Sequence, residues 1–326
     1  METVLVTGGL GFLGKHLVSH LSRTGRNVRI LARKGSSVPQ EQSGKNIVWG
    51  DIRDRGVVDR AVDGVDKVVH LVSNFRKGGS DTKEAYAINV EGTENVLQAA
   101  HKQGVQRLVH CSTIGVHGSV KEIPATEETP FNPGDLYQET KLIAEQRVWE
   151  FYHKTGLPIS VIRPISMFGP GDLRMLKLFK MIKHGKFVVV GDGSAFFQPA
   201  YIDDVVAGFM LCLEHEKAVG EVFIIGGDEY VPLKKLFAII AEELGVSYPK
   251  LRLPLAPVLL LATLCEKICV PFGIEPPLHR RRVSFFQNNR AFSVEKAKQI
   301  LGYQPQVSLR EGIKKTIQWY EEHGWM

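Results

Sequence analysis

The run TGGLGFLG at residues 7–14 constrains the fold of this chain more than any other stretch. It follows the apolar run VLV at 4–6, which has the character of a buried strand, and it leads into a segment with helical periodicity. Gly8, Gly11 and Gly14 allow a sharp turn between strand and helix, and they leave the helix N-terminus open to a pyrophosphate. In this strand–turn–helix setting, the spacing predicts a dinucleotide-binding loop.

Six short β-rich runs alternate with helical segments through the first half of the chain. The predicted strands are 3–7, 27–32, 46–50, 67–72, 107–112 and 159–164. Strands of nearly continuous Val, Ile and Leu, separated by helices, are typical of a parallel sheet that is covered on both faces. The predicted fold class is therefore α/β, a doubly wound parallel sheet of the Rossmann type with a smaller C-terminal α/β lobe for the substrate.

The alternation of strands and helices changes after residue 165, where Gly and Pro cluster in FGPGD at 168–172. We expect one dinucleotide-binding domain and one substrate-binding lobe. The first takes residues 1–165, to which 199–216 return, and the second takes 166–198 and 217–326.

The composition is that of an ordinary soluble globular protein, with 44% hydrophobic and 23% charged residues in a chain of 326. A net charge of +6 suits an anionic cofactor or a membrane surface, but it is too diffuse to indicate nucleic-acid binding. The four cysteines form neither a disulfide framework nor a CxxC metal pair, which favours a reducing compartment. We expect a cytoplasmic protein without a metal site or a nucleic-acid partner.

The second predicted strand ends in LARKGSS at 31–37, with Ala32 where an acid would bind a free ribose 2′-hydroxyl. Arg33, Lys34 and Ser36 follow, and cations and hydroxyls suit a 2′-phosphate. The sequence therefore favours NADP(H), while NAD(H) and a plain basic surface turn stay open as alternatives.

The run GDIRD at 50–54 closes the third predicted strand. Asp51 is placed to accept a hydrogen bond from the adenine amine, and Ile52 is placed to pack beside the ring. Both residues are therefore expected at the adenosine end of the dinucleotide.

In DLYQETK at 135–141, Tyr137 and Lys141 lie one helical turn apart. Such a pair is common on a solvated helix face, so the spacing alone does not make it a catalytic site. Asp135 can cap a helix with Gln138 three residues on, which puts the tyrosine in the first turn. A free phenol has a pKa of about 10, and a nearby ammonium favours the phenolate, bringing the pKa closer to the operating pH.

Nine motifs, in order and at fitting separations, resemble those of the extended short-chain dehydrogenase/reductase family. That family includes nucleotide-sugar epimerases and 3β-hydroxysteroid dehydrogenases. The motifs are TGGLGFLG, GDIRD, VVHLVS (68–73), NVEGT (89–93), CSTIGVHG (111–118), YQETK (137–141), RPISMFGPGD (163–172), YIDDVV (201–206) and LGYQP (301–305). The resemblance covers essentially the whole chain and implies an NAD(P)-dependent enzyme.

The resemblance implies roles for individual residues. Tyr137 and Lys141 would be catalytic, with Thr113 as the third member of the set. Ser112, beside Thr113, is a weaker candidate, and His117 stands where the family usually has Tyr. The residues implied to bind the cofactor are Gly8, Gly11, Phe12, Leu13, Gly14, Arg33, Asp51, Ile52, Leu71, Val72, Tyr137, Lys141, Pro164 and Ser166.

Three features bear on the substrate. No Asn follows the Arg-Pro of RPISMFGPG, and the run Phe197–Pro199 stands where nucleotide-sugar members tend to carry Arg-Asp-Phe. The apolar run 254–273, together with 278–286, resembles the corresponding part of steroid-dehydrogenase-like and long-chain ketone-reducing members.

The leading interpretation is hydride transfer between NAD(P) and a secondary alcohol or ketone of a fairly apolar, steroid-like or long-chain substrate. The alternative is a nucleotide-sugar epimerase or dehydratase with tightly bound NAD. A non-enzymatic redox sensor is disfavoured because the Tyr–Lys pair is present.

The apolar run 254–273 fits packing within the lobe as well. It also fits a peripheral membrane contact, in which HRRR at 279–282 meets anionic lipids.

The resemblance also implies a homodimer, formed through two helices at about 91–103 and 139–154. Val148, Phe151 and Tyr152 would then lie on the shared face, or else in the core.

Overall fold

The computed structural model describes residues 1–75, 82–269, 272, 274 and 276–326, with the backbone alone at 41, 281 and 282. Within these residues, the strands in chain order are β1 (Thr3–Thr7), β2 (Asn27–Ala32), β3 (Asn46–Trp49), β4 (Lys67–His70), β5 (Arg107–Cys111), β6 (Ile159–Pro164), β7 (Ser166–Phe168), β8 (Val189–Val190), β9 (Phe196–Phe197), β10 (Pro199–Tyr201), β11 (Val222–Ile225), β12 (Val231–Pro232) and β13 (Arg252–Leu253).

The helices of the same part of the chain are α1 (Phe12–Arg23), α2 (Arg55–Val62), α3 (Thr82–Tyr86), α4 (Gly92–Lys102), α5 (Leu136–Thr155), α6 (Leu173–Lys183), α7 (Ile202–Glu214), α8 (Leu233–Glu243), α9 (Leu255–Cys269), α10 (Arg280–Ser284), α11 (Glu295–Leu301) and α12 (Leu309–Glu322).

Seven parallel strands form the central sheet, in the order β11-β6-β5-β4-β1-β2-β3. The order reverses between β1 and β4, where Val6 lies between Ile30 of β2 and Val69 of β4. In a doubly wound sheet, the connections on the two sides of this point diverge and leave a crevice at the carboxyl ends of the strands. The predicted fold class is confirmed, and the crevice is where a ligand is expected.

Two separate hydrophobic clusters cover the faces of the sheet. One cluster contains the buried side chains of α1 and α7, and the other contains those of α2, α4 and α5. The contact of α7 with the sheet is close, because a Cβ added at Gly208 would lie 2.4 Å from Cγ2 of Ile225. The helices therefore lie on both faces, as continuous apolar strands require.

All six predicted strands are present, and the first, second and sixth have the predicted bounds. The structure differs at β11, which pairs with β6 at the edge of the sheet although the sequence analysis assigned its residues to the second lobe. Its run VFII is as long as β3 and β4, but the run alone does not indicate which lobe the strand joins. Within 199–216, α7 packs against β5 and β6.

Outside the central sheet, the described residues form three two-stranded pairs, β10–β7, β12–β9 and β13–β8. Helix α12 packs against α8, and Ser308 caps it by accepting a hydrogen bond from the Glu311 amide. In α9, only Val258 and Ala262 are buried, although the helix is mostly apolar. Among the described residues, no helix combines the length and the hydropathy needed to cross a bilayer.

The two helices implied to form a homodimer, α4 and α5, pack against each other. Val148 is fully buried in the core between α5 and the sheet, while Phe151 and Tyr152 are half-buried. The homodimer stays a prediction, which the mass of the protein in solution would test.

A buried ion pair connects α5 to β6. The guanidinium Nε of Arg163 lies 3.2 Å from each carboxylate oxygen of Glu145, and the two side chains are 3% and 1% exposed. Arg163 also donates to the backbone oxygen of Glu127 at 2.9 Å. Removing one partner of a buried pair leaves the other charge without compensation, which is far costlier than losing a surface pair.

We therefore expect Glu145→Ala to lower the free energy of unfolding by about 3–5 kcal/mol, measured by urea denaturation. Glu150→Ala is the matched control, because Glu150 pairs with Arg147 on the exposed side of the same helix. It should cost less than about 1 kcal/mol. Equal losses in the two variants would contradict the structural role of the buried pair.

Candidate active site

The glycine loop between β1 and α1 is closely packed against itself. Gly8 has a φ of +72°, and a Cβ at Gly14 would lie 2.3 Å from the carbonyl oxygen of Gly8. Gly11 stands at the N-cap of α1 without a side-chain cap, and the first turn contains no acid. The first-turn amide groups of Phe12 and Leu13 are therefore open to an anion, which the helix dipole also favours.

These residues fit a nicotinamide dinucleotide. The glycines leave space for a pyrophosphate, and a Cβ at Gly8 would lie 3.3 Å from the amide nitrogen of Val72 at the end of β4. Leu71 and Val72 line the same cavity as the loop, on the side toward β5. The bound dinucleotide would thus extend across the switch point of the sheet, with its phosphates on α1.

At the adenosine side of the cavity, Arg33, Ser36 and Ser37 line the wall directly after β2. Asp51 and Ile52 line it after β3. The carboxylate of Asp51 accepts from Arg53 at 2.7 and 2.9 Å, and this hydrogen bond holds the pKa of Asp51 below its usual value. Asp51 therefore stays ionised as an acceptor beside the cavity.

Helix α5 brings Tyr137 to the cavity. Asp135 caps the helix by accepting from the Gln138 amide at 2.9 Å, which confirms the predicted cap. Tyr137 falls in the first turn, lines the cavity, and contacts the ring of Phe75 edge-on with 4.9 Å between centroids.

Thr113 lies next to this first turn. It follows β5 and accepts from the Gly115 amide at 3.0 Å, which fixes its side chain at the start of a short 3-10 helix. A Cβ at Gly115 would lie 3.0 Å from Cγ of Gln138, so the 3-10 helix and α5 are in close contact. The glycine therefore allows Thr113 and Tyr137 to line one cavity.

Lys141, which is predicted to be catalytic and to bind the cofactor, lies one helical turn after Tyr137 on α5. It is 2% exposed and does not line the cavity, and its Nζ donates to the carbonyl oxygen of Cys111 at 2.7 Å. Burial lowers the pKa of the Lys141 ammonium, while Cys111 and Glu145 act in the opposite direction. Burial, followed by the charge of Lys141, also lowers the pKa of His110, so that imidazole stays neutral.

A buried polar network supports the strand end that carries Thr113. Ser112 donates to the carboxylate of Glu145, which also binds Arg163. His117 accepts from Arg163 at Nε2 over 3.1 Å, because a guanidinium only donates. Burial, then Arg163, lowers the pKa of His117, so the ring is neutral where the family usually has Tyr.

The cavity has a volume of about 2020 Å³. A pocket for one drug-sized ligand takes about 300–1,000 Å³, so this cavity can hold a dinucleotide and a second molecule. Fourteen of the fifteen predicted site residues line it, and Lys141 is the exception. Their roles stay predictions.

The second lobe lines the other side of the cavity, partly with residues of the runs 197–199, 254–273 and 278–286 and partly with residues that the sequence analysis did not single out. Apolar side chains come from α6, the β8 and β9 region, α9 and the segment after α10. Cations also line this side, namely Arg174, Lys177, Arg280 and Arg290. Arg174 and Lys177 share α6, whereas Arg280 and Arg290 come from two other parts of the sequence, and no local motif joins all four.

Comparison with known proteins identifies the class. The sequence pattern of the NAD dependent epimerase/dehydratase family matches residues 4–226. The chain belongs to this family, within the extended short-chain dehydrogenases/reductases. It is an enzyme that depends on a nicotinamide dinucleotide, and the resemblance carried by the nine motifs is confirmed.

Two individual relatives are similar to this chain over nearly its whole length. The chain is 33% identical to a 3β-hydroxysteroid-dehydrogenase/decarboxylase of Arabidopsis thaliana, over 96% of this chain and 78% of that protein. It is also 33% identical to a 3β-hydroxysteroid dehydrogenase/Δ5→4-isomerase of Mycobacterium tuberculosis, over 97% and 90%.

Solved structures show the same fold. The UDP-glucose 4-epimerase of Thermotoga maritima, solved with UDP-glucose, superimposes with a TM-score of 0.82 at 25% identity, over 98% of this chain and 99% of that one. The dTDP-glucose 4,6-dehydratase of Streptomyces venezuelae, with NAD and TYD bound, gives 0.80 at 26%, over 99% and 98%.

We expect Gly14→Ala to raise the Kd for NADPH at least about tenfold, because the new Cβ would meet backbone atoms of Gly8 and Gly9 within 3 Å. Gly56→Ala in α2 is the control, since its Cβ would find its nearest atom at an ordinary 3.4 Å. Calorimetric titration of both variants measures the effect. An unchanged Kd in Gly14→Ala would show that the loop does not bind the dinucleotide.

Proposed function

We propose that the protein transfers a hydride between a nicotinamide dinucleotide and a secondary alcohol or ketone of a fairly apolar, steroid-like or long-chain substrate. The observation that carries the proposal is one cavity, in which Tyr137 and Thr113 lie between the glycine loop and a lobe wall that presents a group of apolar side chains. Two relatives that are named 3β-hydroxysteroid dehydrogenases support the same class of substrate.

The wall of the second lobe favours an apolar substrate. Met181, Phe187, Leu259 and Phe286 line the cavity there. Phe197 lines it where nucleotide-sugar members tend to carry a cation. The neighbouring Gln198 is 1% exposed, and its amide group binds backbone atoms of Gly227 and Phe292. Neither residue offers a charge to a diphosphate.

Proton transfer is assigned to Tyr137. Its phenolate would take the proton from the substrate alcohol in oxidation, and its hydroxyl would donate a proton to the ketone oxygen in reduction, while a bound nicotinamide would accept or supply the hydride, respectively. Thr113 already accepts at its oxygen from an amide, so its hydrogen is available to donate to the substrate oxygen. Lys141 would act as a fixed positive charge one turn from Tyr137, held by the Cys111 carbonyl.

A nucleotide-sugar epimerase or dehydratase with tightly bound NAD is the second candidate. It is favoured by the cations Arg174, Lys177 and Arg290, which line the lobe side of the cavity. Guanidinium and ammonium groups there would suit the phosphates of a sugar nucleotide.

Identification of the nucleotide released on denaturation separates the two candidates. An empty protein, or one carrying NADP, supports an exchangeable cofactor and the redox reaction. Retained NAD near one per chain would favour the epimerase and contradict the preference for NADP.

We expect Tyr137→Phe to lower kcat by about 10²–10⁴-fold with NADPH and a panel of steroid and long-chain ketones, followed by NADPH absorbance. The loss removes the group that transfers the proton, so NADPH should bind as before. Tyr152→Phe loses the same hydroxyl from the same helix, away from the cavity, and should keep full activity. Undiminished turnover in Tyr137→Phe would refute the assignment.

Preference for NADP is proposed from Ala32 and Arg33. Loss of one charge-assisted hydrogen bond should make Arg33→Ala about 10–100-fold worse in kcat/KM for NADPH, with little change for NADH. Lys34→Ala is the charge-matched control, because Lys34 is exposed and does not line the cavity. An equal loss with both cofactors would argue against recognition of the 2′-phosphate.

A further inference from the structure

Helix α9 exposes apolar side chains on the face that points away from the cavity. The large apolar side chains exposed on it and beside it are Leu251, Leu253, Leu260, Leu261, Leu264, Ile268, Phe272 and Ile274. These eight are half of the sixteen that are exposed in the described part of the chain, although they all come from 251–274. Monomeric soluble proteins rarely leave such a concentration uncovered.

Positive charge surrounds this apolar surface. Residues 250–282 contain six Lys and Arg against two Glu, so the segment carries +4 of the net charge of +6. Lys250, Arg252, Lys267 and Arg280 are exposed. The HRRR run also includes Arg281 and Arg282, whose side chains lie outside the described part of the structure. The combination of an exposed apolar helix face and a basic rim suits an anionic lipid surface.

The other side of α9 borders the cavity. Leu259 and Glu266 line it from α9, and Arg280 and Ser284 line it from α10. Glu266 joins the two helices by accepting from the Arg280 amide at 2.8 Å. A helix with its side chains is about 10 Å thick, so the apolar surface lies one helix thickness from the cavity.

We propose that the apolar face of α9, with its basic rim, docks on a bilayer that contains anionic lipids. The helix has 15 residues and is about 22 Å long, shorter than a hydrocarbon core of about 30 Å. It therefore lies along the interface. We further propose, on the basis of the proposed function, that the apolar substrate enters the cavity from the lipid past α9.

Charge argues against a second copy of the chain as the occupant. A two-fold interface places the same patch on both subunits, so the basic rim would face itself. Like charges brought together in this way oppose association, whereas anionic headgroups attract the rim.

The test is sedimentation with vesicles of phosphatidylcholine, with and without phosphatidylglycerol. We expect the anionic lipid to raise the partition coefficient at least about tenfold, and high salt to reverse the gain. The triple variant Leu260→Asp/Leu264→Asp/Ile268→Asp places three charges on one stripe and should lose binding. Leu173→Asp is the control, because Leu173 is 62% exposed on α6 and should bind as the parent does.

A second variant keeps the test valid if the triple variant does not fold. Lys250→Glu/Arg252→Glu/Lys267→Glu should remove the response to phosphatidylglycerol while the melting temperature stays near that of the parent. Parent protein that binds neither kind of vesicle would overturn the proposal. A dimer in solution that the triple variant converts to monomer, without vesicle binding, would also overturn it and assign the surface to a second copy.

Substrate entry is tested separately from the redox reaction. Vesicle binding is measured without cofactor or substrate, so it can hold even if the proposed oxidoreductase activity fails. If both proposals hold, the triple variant keeps its turnover of a water-soluble ketone and loses turnover of a ketone embedded in vesicles. Equal turnover of the embedded ketone by variant and parent would refute entry from the lipid.

Discussion

The buried contact between Glu145 and Arg163 joins three parts of the active site. Glu145 lies one turn after Lys141 on α5, Arg163 ends β6, and Ser112 binds the same carboxylate from the end of β5. Because both charges are almost fully buried, each depends on the other for compensation. The ends of β5 and β6 and helix α5 are therefore held in one arrangement. Thr113 is part of it, because it directly follows Ser112 in the chain.

The same arrangement accounts for the position of Lys141. The lysine is held by a strand carbonyl and is surrounded by groups that burial keeps neutral, such as His110. In the proposed reaction it would therefore act on Tyr137 as a charge held in place rather than as a mobile side chain in the cavity. In such a site, α5 would supply the electrostatic field, and the residues that line the cavity would supply the contacts to the ligand.

Sequence patterns predicted those parts of the fold that are determined by residues close together in the chain. The continuous apolar runs of β1 and β2 and the glycine spacing before α1 could be predicted because each is determined within a few residues. The cap of α5 at Asp135 is of the same kind. The cations on the lobe side of the cavity could not be predicted, since only the tertiary fold brings Arg174 and Arg290 to the same cavity.

The charged residue Glu145 on α5 and the apolar run of α9 gave the least information from sequence. Glu145 occurs where a solvated helix face is the usual interpretation, and only the structure places it opposite Arg163. The apolar composition of α9 is compatible with core packing, yet its outer face is exposed. In both cases, the residue type alone does not indicate whether the side chain is buried or exposed in the folded protein.

The two ends of the dinucleotide site differ in how tightly they are packed. At the glycine loop, a single added methyl group would meet backbone atoms, whereas Arg33 and Ser37 are exposed after β2 and line the cavity from an irregular segment. Given the proposed role of Arg33, substitutions at this exposed end would change which dinucleotide is selected with little effect on the packing of the fold. An engineer, or natural selection, could therefore alter the electron carrier of this enzyme independently of its scaffold.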